Sequence, residues 1–164
     1  MKYTIEEVSK IVKKQKSCGK EIGLITGCFD VLHIGHVRLF KFAKKHVDYL
    51  VIGLDNDKTV LLTKGKGRPI NSIQHRLETI SELRNVDIAF KIKGVVDYKK
   101  ARDAELIYSN VVRKICPDYL ITSKKADHYW KIKKIRAKHL HVKFLAYTQN
   151  RATSSTEIIN KLIK

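Results

Sequence analysis

Acidic residues are scarce in this chain: 16 Asp and Glu stand against 34 Lys and Arg, which leaves a net charge of +18 over 164 residues. A field of that sign draws polyanions and phosphorylated metabolites without choosing between them. Cysteine is scarce too. Cys18, Cys28 and Cys116 are odd in number and show no C-x-x-C spacing, which argues against a disulfide framework and suits a reducing cytosol. Long apolar runs are missing. No stretch approaches the roughly 20 apolar residues of a membrane span, and the start, MKYTIEEVSKIVKKQ, lacks the uninterrupted apolar core of a signal peptide. The resulting expectation is a cytoplasmic protein that does not enter a membrane. No internal repeat, low-complexity tract or linker is seen.

What is there suits a compact α/β domain. Hydrophobic residues are 43% and charged residues 30%, values of a folded rather than a disordered chain. The length favours one domain over 1–164, with an N-terminal helix in 1–19 and a core over 21–163. Thr4 to Glu7 has capping-box spacing, and Ile5, Val8, Ile11 and Val12 repeat at helical intervals. Apolar runs at 21–29, 49–54, 86–92, 119–122 and 141–147 read as strands. They alternate with helices over 35–46, 72–83, from Asp97 or Tyr98 to Cys116, 128–140 and 154–162. Ser154 to Glu157 is a second capping box, and KGKGRPIN at 64–71 is a loop by its Gly and Pro content. Alternation of this kind predicts a single doubly wound, Rossmann-like parallel sheet of five strands with helices on both faces. Its ligands belong beyond the carboxyl ends of the strands, where the strand order reverses.

The segment that carries chemistry is Thr26 to His36, TGCFDVLHIGH. A buried strand feeds a glycine-containing turn, and two histidines then straddle Gly35 at the start of a helix. His33 and His36 are three apart, so both rings can face one ligand. Gly35 lets a phosphate approach the backbone. The helix start adds unpaired N–H groups and a partial positive charge, which also disfavours imidazolium. Neutral imidazoles donating N–H, a glycine turn and a helix start together make a cradle for a phosphate chain. That suits phosphoryl or nucleotidyl transfer, where catalysis is positioning and charge stabilisation. A zinc reading of Cys28, His33 and His36 fits no common ligand spacing.

TGCFDVLHIGHVRLFKFAKK closely resembles the signature G-x-F-D-x-x-H-x-G-H of the cytidylyltransferase-like nucleotidyltransferase superfamily. LLTKGKGRPINSIQHRLETISELRNVD resembles that family's K-G…R-P…R…V-D stretch, and ATSSTEIINKL its S-T-T-x-I-I segment. The resemblance implies a nucleotidyltransferase that releases pyrophosphate. His33 and His36 would stabilise the transition state at the α-phosphate, with Lys44 as a further catalytic cation on acceptor or triphosphate oxygens. Gly27, Cys28, Phe29, Gly35, Arg76, Ser154, Ser155 and Thr156 would hold the nucleotide, and Asp57 and Lys64 the acceptor. Mg2+ bridging the phosphates and a homodimer are further implications. Gly27 to Asp30 and the 64–71 loop look most like heptose 1-phosphate adenylyltransferase domains. These imply ATP over CTP and a sugar 1-phosphate as the phosphorylated acceptor. Glycerol-3-phosphate and ethanolamine-phosphate cytidylyltransferases and archaeal FAD synthases share the motifs. The chain departs from all of these at Thr122 to Asp127, where the family often has K-G-x-D or G-D-D, and at Gln149 to Ala152.

Two readings of other classes stand beside this one. Lys124, Lys125, Lys131, Lys133, Lys134, Arg136, Lys138 and Lys143, with Tyr129 and Trp130 as stacking candidates, would suit a nucleic-acid-binding module. No RNA- or DNA-binding motif accompanies them. A catalytically silent nucleotide sensor would keep the same cradle.

Overall fold

A computed structural model describes residues 3–98, 101–150 and 153–162. Helices α1 (Ile5–Ser17), α2 (Ile34–Ala43), α3 (Asp57–Lys64), α4 (Ile73–Ser81), α5 (Ala101–Ile115), α6 (Trp130–His139) and α7 (Ser155–Leu162) alternate with strands. The strands are β1 (Ile22–Gly27), β2 (Tyr49–Leu54), β3 (Ile88–Lys91), β4 (Tyr119–Ser123) and β5 (Lys143–Tyr147). All strand pairs are parallel, in the order β3-β2-β1-β4-β5. This is the predicted α/β architecture. Two apolar clusters form, one on each face of the sheet. The first joins Val8 and Val12 of α1 and Tyr108, Val111 and Val112 of α5 to Leu24, Val51 and Phe90. The second joins Leu39 and Phe40 of α2 and Leu77 and Ile80 of α4 to Ile25, Leu50 and Ile52.

Both capping boxes read from the sequence are formed. Glu7 N–H donates to Thr4 Oγ1 at 3.2 Å while Thr4 N–H donates to Glu7 Oε2 at 2.7 Å. Ser154 and Glu157 exchange the same pair of bonds at 3.1 Å each. Helix α3 was not foreseen. Asn56 caps it by accepting from Thr59 N–H, but only Thr59 and Val60 are buried, while Leu61 and Leu62 face outward. Such a helix lacks the apolar stripe on which periodicity depends. Helix α5 starts at Ala101 rather than at Asp97 or Tyr98, and residues 99 and 100 lie outside the described residues.

The sheet opens where strand order reverses. β1 pairs with β2 along its full length, from Ile22↔Tyr49 to Gly27↔Leu54. Its ladder to β4 covers only Gly23↔Tyr119 and Leu24↔Leu120. Beyond Leu24 the β4-facing edge of β1 is released from the ladder, and the Thr26 carbonyl there accepts a bond from Lys133 Nζ at 2.9 Å. Strand divergence at a switch point is the general origin of a ligand crevice in such sheets.

Candidate active site

A cleft of about 270 Å³ opens at the carboxyl ends of β1, β2, β4 and β5. Its walls include Gly27, Cys28, Phe29, His33, Gly35, His36, Lys64, Ser154, Ser155 and Thr156, ten of the thirteen residues singled out from the sequence.

The two histidines are arranged by the start of α2. His33 is the N-cap, and its Nδ1 accepts the Gly35 N–H at 3.1 Å. His36 completes the box by accepting the His33 N–H on its own Nδ1, at 3.4 Å. Imidazoles thus do here what Ser or Thr and Glu do in an ordinary capping box. A ring nitrogen that accepts an N–H carries no proton of its own, so in both rings the proton sits on Nε2. The rings stack with centroids 3.9 Å apart and planes 25° apart, and Phe29 packs edge-on against His36 at 5.3 Å. Burial, helped by the neighbouring His33, pushes His36 down to about 3, so this ring is neutral at physiological pH. Gly35 lines the cleft and also makes room for a histidine. A Cβ there would lie 2.9 Å from Cε1 and Nδ1 of His33, so the imidazole fills the space that a side chain would take.

Phe29 has φ 48, a left-handed conformation that costs a bulky residue about 1–2 kcal/mol. Such strain concentrates at functional sites. The turn is held by Asp30, which is 3% exposed and which the sequence reading left out of the site. Its carboxylate accepts from Arg68 Nε at 2.5 Å, Ile70 N–H at 3.0 Å and Asn71 N–H at 2.9 Å. The 64–71 loop is therefore tied to the end of β1, and Lys64 is carried to the rim of the cleft. Beside the histidines, Ser155 Oγ donates to the Val31 carbonyl at 2.8 Å and docks the start of α7 on the same turn.

Three expected site residues are placed elsewhere. Lys44 lies at the far end of α2, roughly 15 Å along the helix from His33. Its ammonium bonds the Asp48 carbonyl at 2.7 Å and Asp87 at 2.9 Å, so it ties α2 to β2 and β3 rather than reaching phosphate. Arg76 is 2% exposed. It donates to Asp57 Oδ1 at 2.7 Å, the Cys28 carbonyl at 2.5 Å and the Asn71 carbonyl at 3.0 Å. Arg76 and Asp57 thus form a brace beneath the cleft, not part of its lining. A fully enclosed guanidinium needs such partners, and a helix-face Arg in the sequence gives no sign of that.

The α5 and α6 side of the cleft was missed almost entirely. Asp55, just past β2, is 2% exposed and accepts from Tyr108 OH at 2.7 Å and from Cys28 Sγ at 3.5 Å. Burial raises its carboxyl, and burial together with the Asp55 charge pushes the Cys28 thiol up to about 12, which rules out a thiolate nucleophile. Thr122 to Asp127 departs from the K-G-x-D or G-D-D pattern. The structure brings Asp127 into the cleft wall, where it accepts from Thr122 Oγ1 at 2.5 Å and pairs with Lys133 at 2.7 Å. Lys133 and Arg136 of the basic stretch are 7% and 4% exposed and are committed to Asp127 and Glu105, so they are structural cations. Tyr129 stacks on Tyr98, and Trp130 lies under Lys124 and Lys131. Gln149 and Asn150 reach the cleft, while Arg151 and Ala152 lie outside the described residues. Among the described residues no three His, Cys, Asp or Glu converge as metal ligands, and no helix is long and apolar enough to cross a membrane.

Two stacked imidazoles at a helix start, beside a strand-order switch point, suit the stabilisation of charge on a transferring phosphate. The chain belongs to the cytidylyltransferase-like family, whose model matches residues 24–161. It is 35% identical over 152 residues, 92% of this chain, to the bifunctional protein HldE of Wolinella succinogenes. To the bifunctional protein HldE of Sulfurimonas denitrificans it is 34% identical over 116 residues, 71% of this chain. It spans 29% and 22% of the lengths of those two relatives. A solved lipopolysaccharide core biosynthesis protein from Thermoplasma volcanium superposes with a TM-score of 0.59 at 26% identity, covering 81% of this chain and 100% of that one.

Two outcomes follow from the α2 start. Gly35→Ala should cut kcat by about 100-fold, the scale expected for a misplaced catalytic group. Its unfolding free energy should stay within about 1 kcal/mol of wild type, since Ala favours a helix; an Ala variant with wild-type turnover would show that the His33 position is immaterial. For His36, the unfolded ring takes up a proton below 6.5 and the folded ring only near 3, so the stability present above pH 6.5 is lost as pH falls through that window. Urea denaturation should show wild type losing about 2 kcal/mol more than His36→Asn between pH 7 and 5. Equal losses would mean that the ring is not held neutral.

Proposed function

We propose that this nucleotidyltransferase moves AMP from ATP to a sugar 1-phosphate of the heptose type and releases pyrophosphate. The observation that carries this reading is the pair of stacked imidazoles, each accepting a backbone N–H on Nδ1, lining the same cleft as the start of α7. An acceptor phosphate oxygen attacks the α-phosphorus in line. A new O–P bond forms, the bond from the α-phosphorus to the bridging oxygen breaks, and its electron pair leaves on pyrophosphate. His33 and His36 donate N–H to α-phosphate oxygens as charge develops there. The N–H groups and hydroxyls of Ser154 to Thr156 hold the triphosphate, and Lys64 on the rim draws in the acceptor phosphate. The preference for ATP and for a heptose-type acceptor is supported by the likeness of the 64–71 loop to heptose 1-phosphate adenylyltransferases.

Mg2+ fits this site as part of the nucleotide substrate. With no convergent set of protein ligands among the described residues, the triphosphate oxygens would supply most of its coordination. When bound it would neutralise phosphate charge. A cytoplasmic homodimer completes the proposal.

The test is pyrophosphate release with ATP or CTP against heptose 1-phosphate, glycerol 3-phosphate, ethanolamine phosphate and flavin mononucleotide. ATP with heptose 1-phosphate should give the highest kcat/KM; a higher value for CTP with glycerol 3-phosphate would overturn the assignment. His33→Ala and His36→Ala should each lower kcat by about 10²–10³. Lys64→Ala should chiefly raise the acceptor KM, whereas a pure kcat defect would contradict ground-state binding.

A further inference from the structure

The cleft has two unlike walls. The α2 and α7 side offers imidazole N–H groups and a helix start, which suit phosphate. The α5 and α6 side offers a carboxyl, phenols and a threonine hydroxyl. Asp55 Oδ1 accepts from Tyr108 OH at 2.7 Å, and the Tyr108 and Tyr98 hydroxyls meet at 2.8 Å. The Tyr98 ring stacks on Tyr129 at 3.9 Å with planes 11° apart, so the chain of hydroxyls is held rigid. Thr26, at the diverging end of β1, is 6% exposed and lines the cleft. Its Oγ1 is buried and has no hydrogen-bond partner among the described residues.

A buried hydroxyl left without a partner costs free energy, and such a group calls for an explanation. The chemistry of the surroundings narrows what could satisfy it. Lys133, the cation of this wall, is already committed to Asp127 and to the Thr26 carbonyl. Burial would raise the Asp127 carboxyl, but the Lys133 ammonium outweighs it and holds Asp127 below the usual range, as a carboxylate. A phosphate placed here would meet like charge. A hydroxyl, which both donates and accepts, matches Thr26, Asp55 and Tyr98 together.

We propose that Thr26, Asp55 and Tyr98 form a diol-reading subsite that selects a sugar moiety across the cleft from the histidines. The inference rests on nucleotidyl transfer in this cleft, where sugar diols arrive from two sources: the ribose of the nucleotide and the sugar of the acceptor. Tyr108 acts through Asp55 and Tyr98 as a positioning residue.

Thr26→Val keeps shape and deletes only the orphan hydroxyl; Tyr98→Phe deletes one phenol. Each should raise the KM of one sugar-bearing substrate about tenfold, the effect of one lost hydrogen bond, with kcat within about threefold of wild type. A rise in the acceptor KM assigns the subsite to the acceptor sugar, and a rise in the ATP KM to the ribose; either supports the proposal. Calorimetric titration gives a readout free of turnover. In the ribose case, wild type should bind 2′-deoxy-ATP or 3′-deoxy-ATP about tenfold more weakly than ATP, and Thr26→Val should bind them alike. In the acceptor case, heptose 1-phosphate should bind Thr26→Val about tenfold more weakly than wild type, with ATP unchanged. KM values and affinities all within twofold of wild type would overturn the subsite. If wild type turns over a different acceptor, the heptose assignment fails, while the nucleotide titrations still report on Thr26.

Discussion

The hydrogen bond from the Gly35 N–H to His33 Nδ1 is the constraint on which the site depends. It starts α2, fixes the proton of His33 on Nε2 and draws the imidazole into space that only a glycine leaves open. His36 then reaches back to the His33 N–H, and the rings stack. Each ring thereby gives Nδ1 to the backbone and carries its proton on Nε2. A pair of donors that is neutral and already oriented needs little reorganisation when charge appears on a phosphate oxygen, which is the basis of electrostatic preorganisation.

Two ionic braces, each built on a buried charge (Asp30 and Arg76), hold that pair in register with the rest of the cleft. Asp30 collects two backbone N–H groups and Arg68 from the 64–71 loop. Arg76 collects the Cys28 and Asn71 carbonyls and the Asp57 carboxylate. Both lie under the turn that carries Phe29 in its left-handed conformation, so the strain at that residue is supported from two directions. Because β1 leaves β4 after Leu24, the same turn also borders the opening between the strands.

Much of this was legible in the sequence, because the physics is local. The strand, turn and two histidines of 26–36 place themselves, and the capping boxes at Thr4 and Ser154 depend on residues three apart. What escaped depends on contacts far along the chain. Asp55 and Tyr108 are 53 residues apart, and Lys133 meets Thr26 across 107. Arg76 looked like a phosphate ligand because an arginine on a helix gives no clue that a carbonyl 48 residues earlier will claim it. Lys44 was misplaced for a similar reason: its partner Asp87 is on a different element. Helix α3 was missed because its leucines point outward, against the usual logic of burial.

The claim that both imidazoles accept through Nδ1 and carry their proton on Nε2 is most directly tested by long-range proton–nitrogen correlation spectra of uniformly nitrogen-15-labelled protein at pH 8. For His33 and His36 the account predicts Nδ1 shifts of an unprotonated, hydrogen-bond-accepting nitrogen and Nε2 shifts of a protonated one. Imidazolium shifts for either ring, or protons on Nδ1, would contradict it.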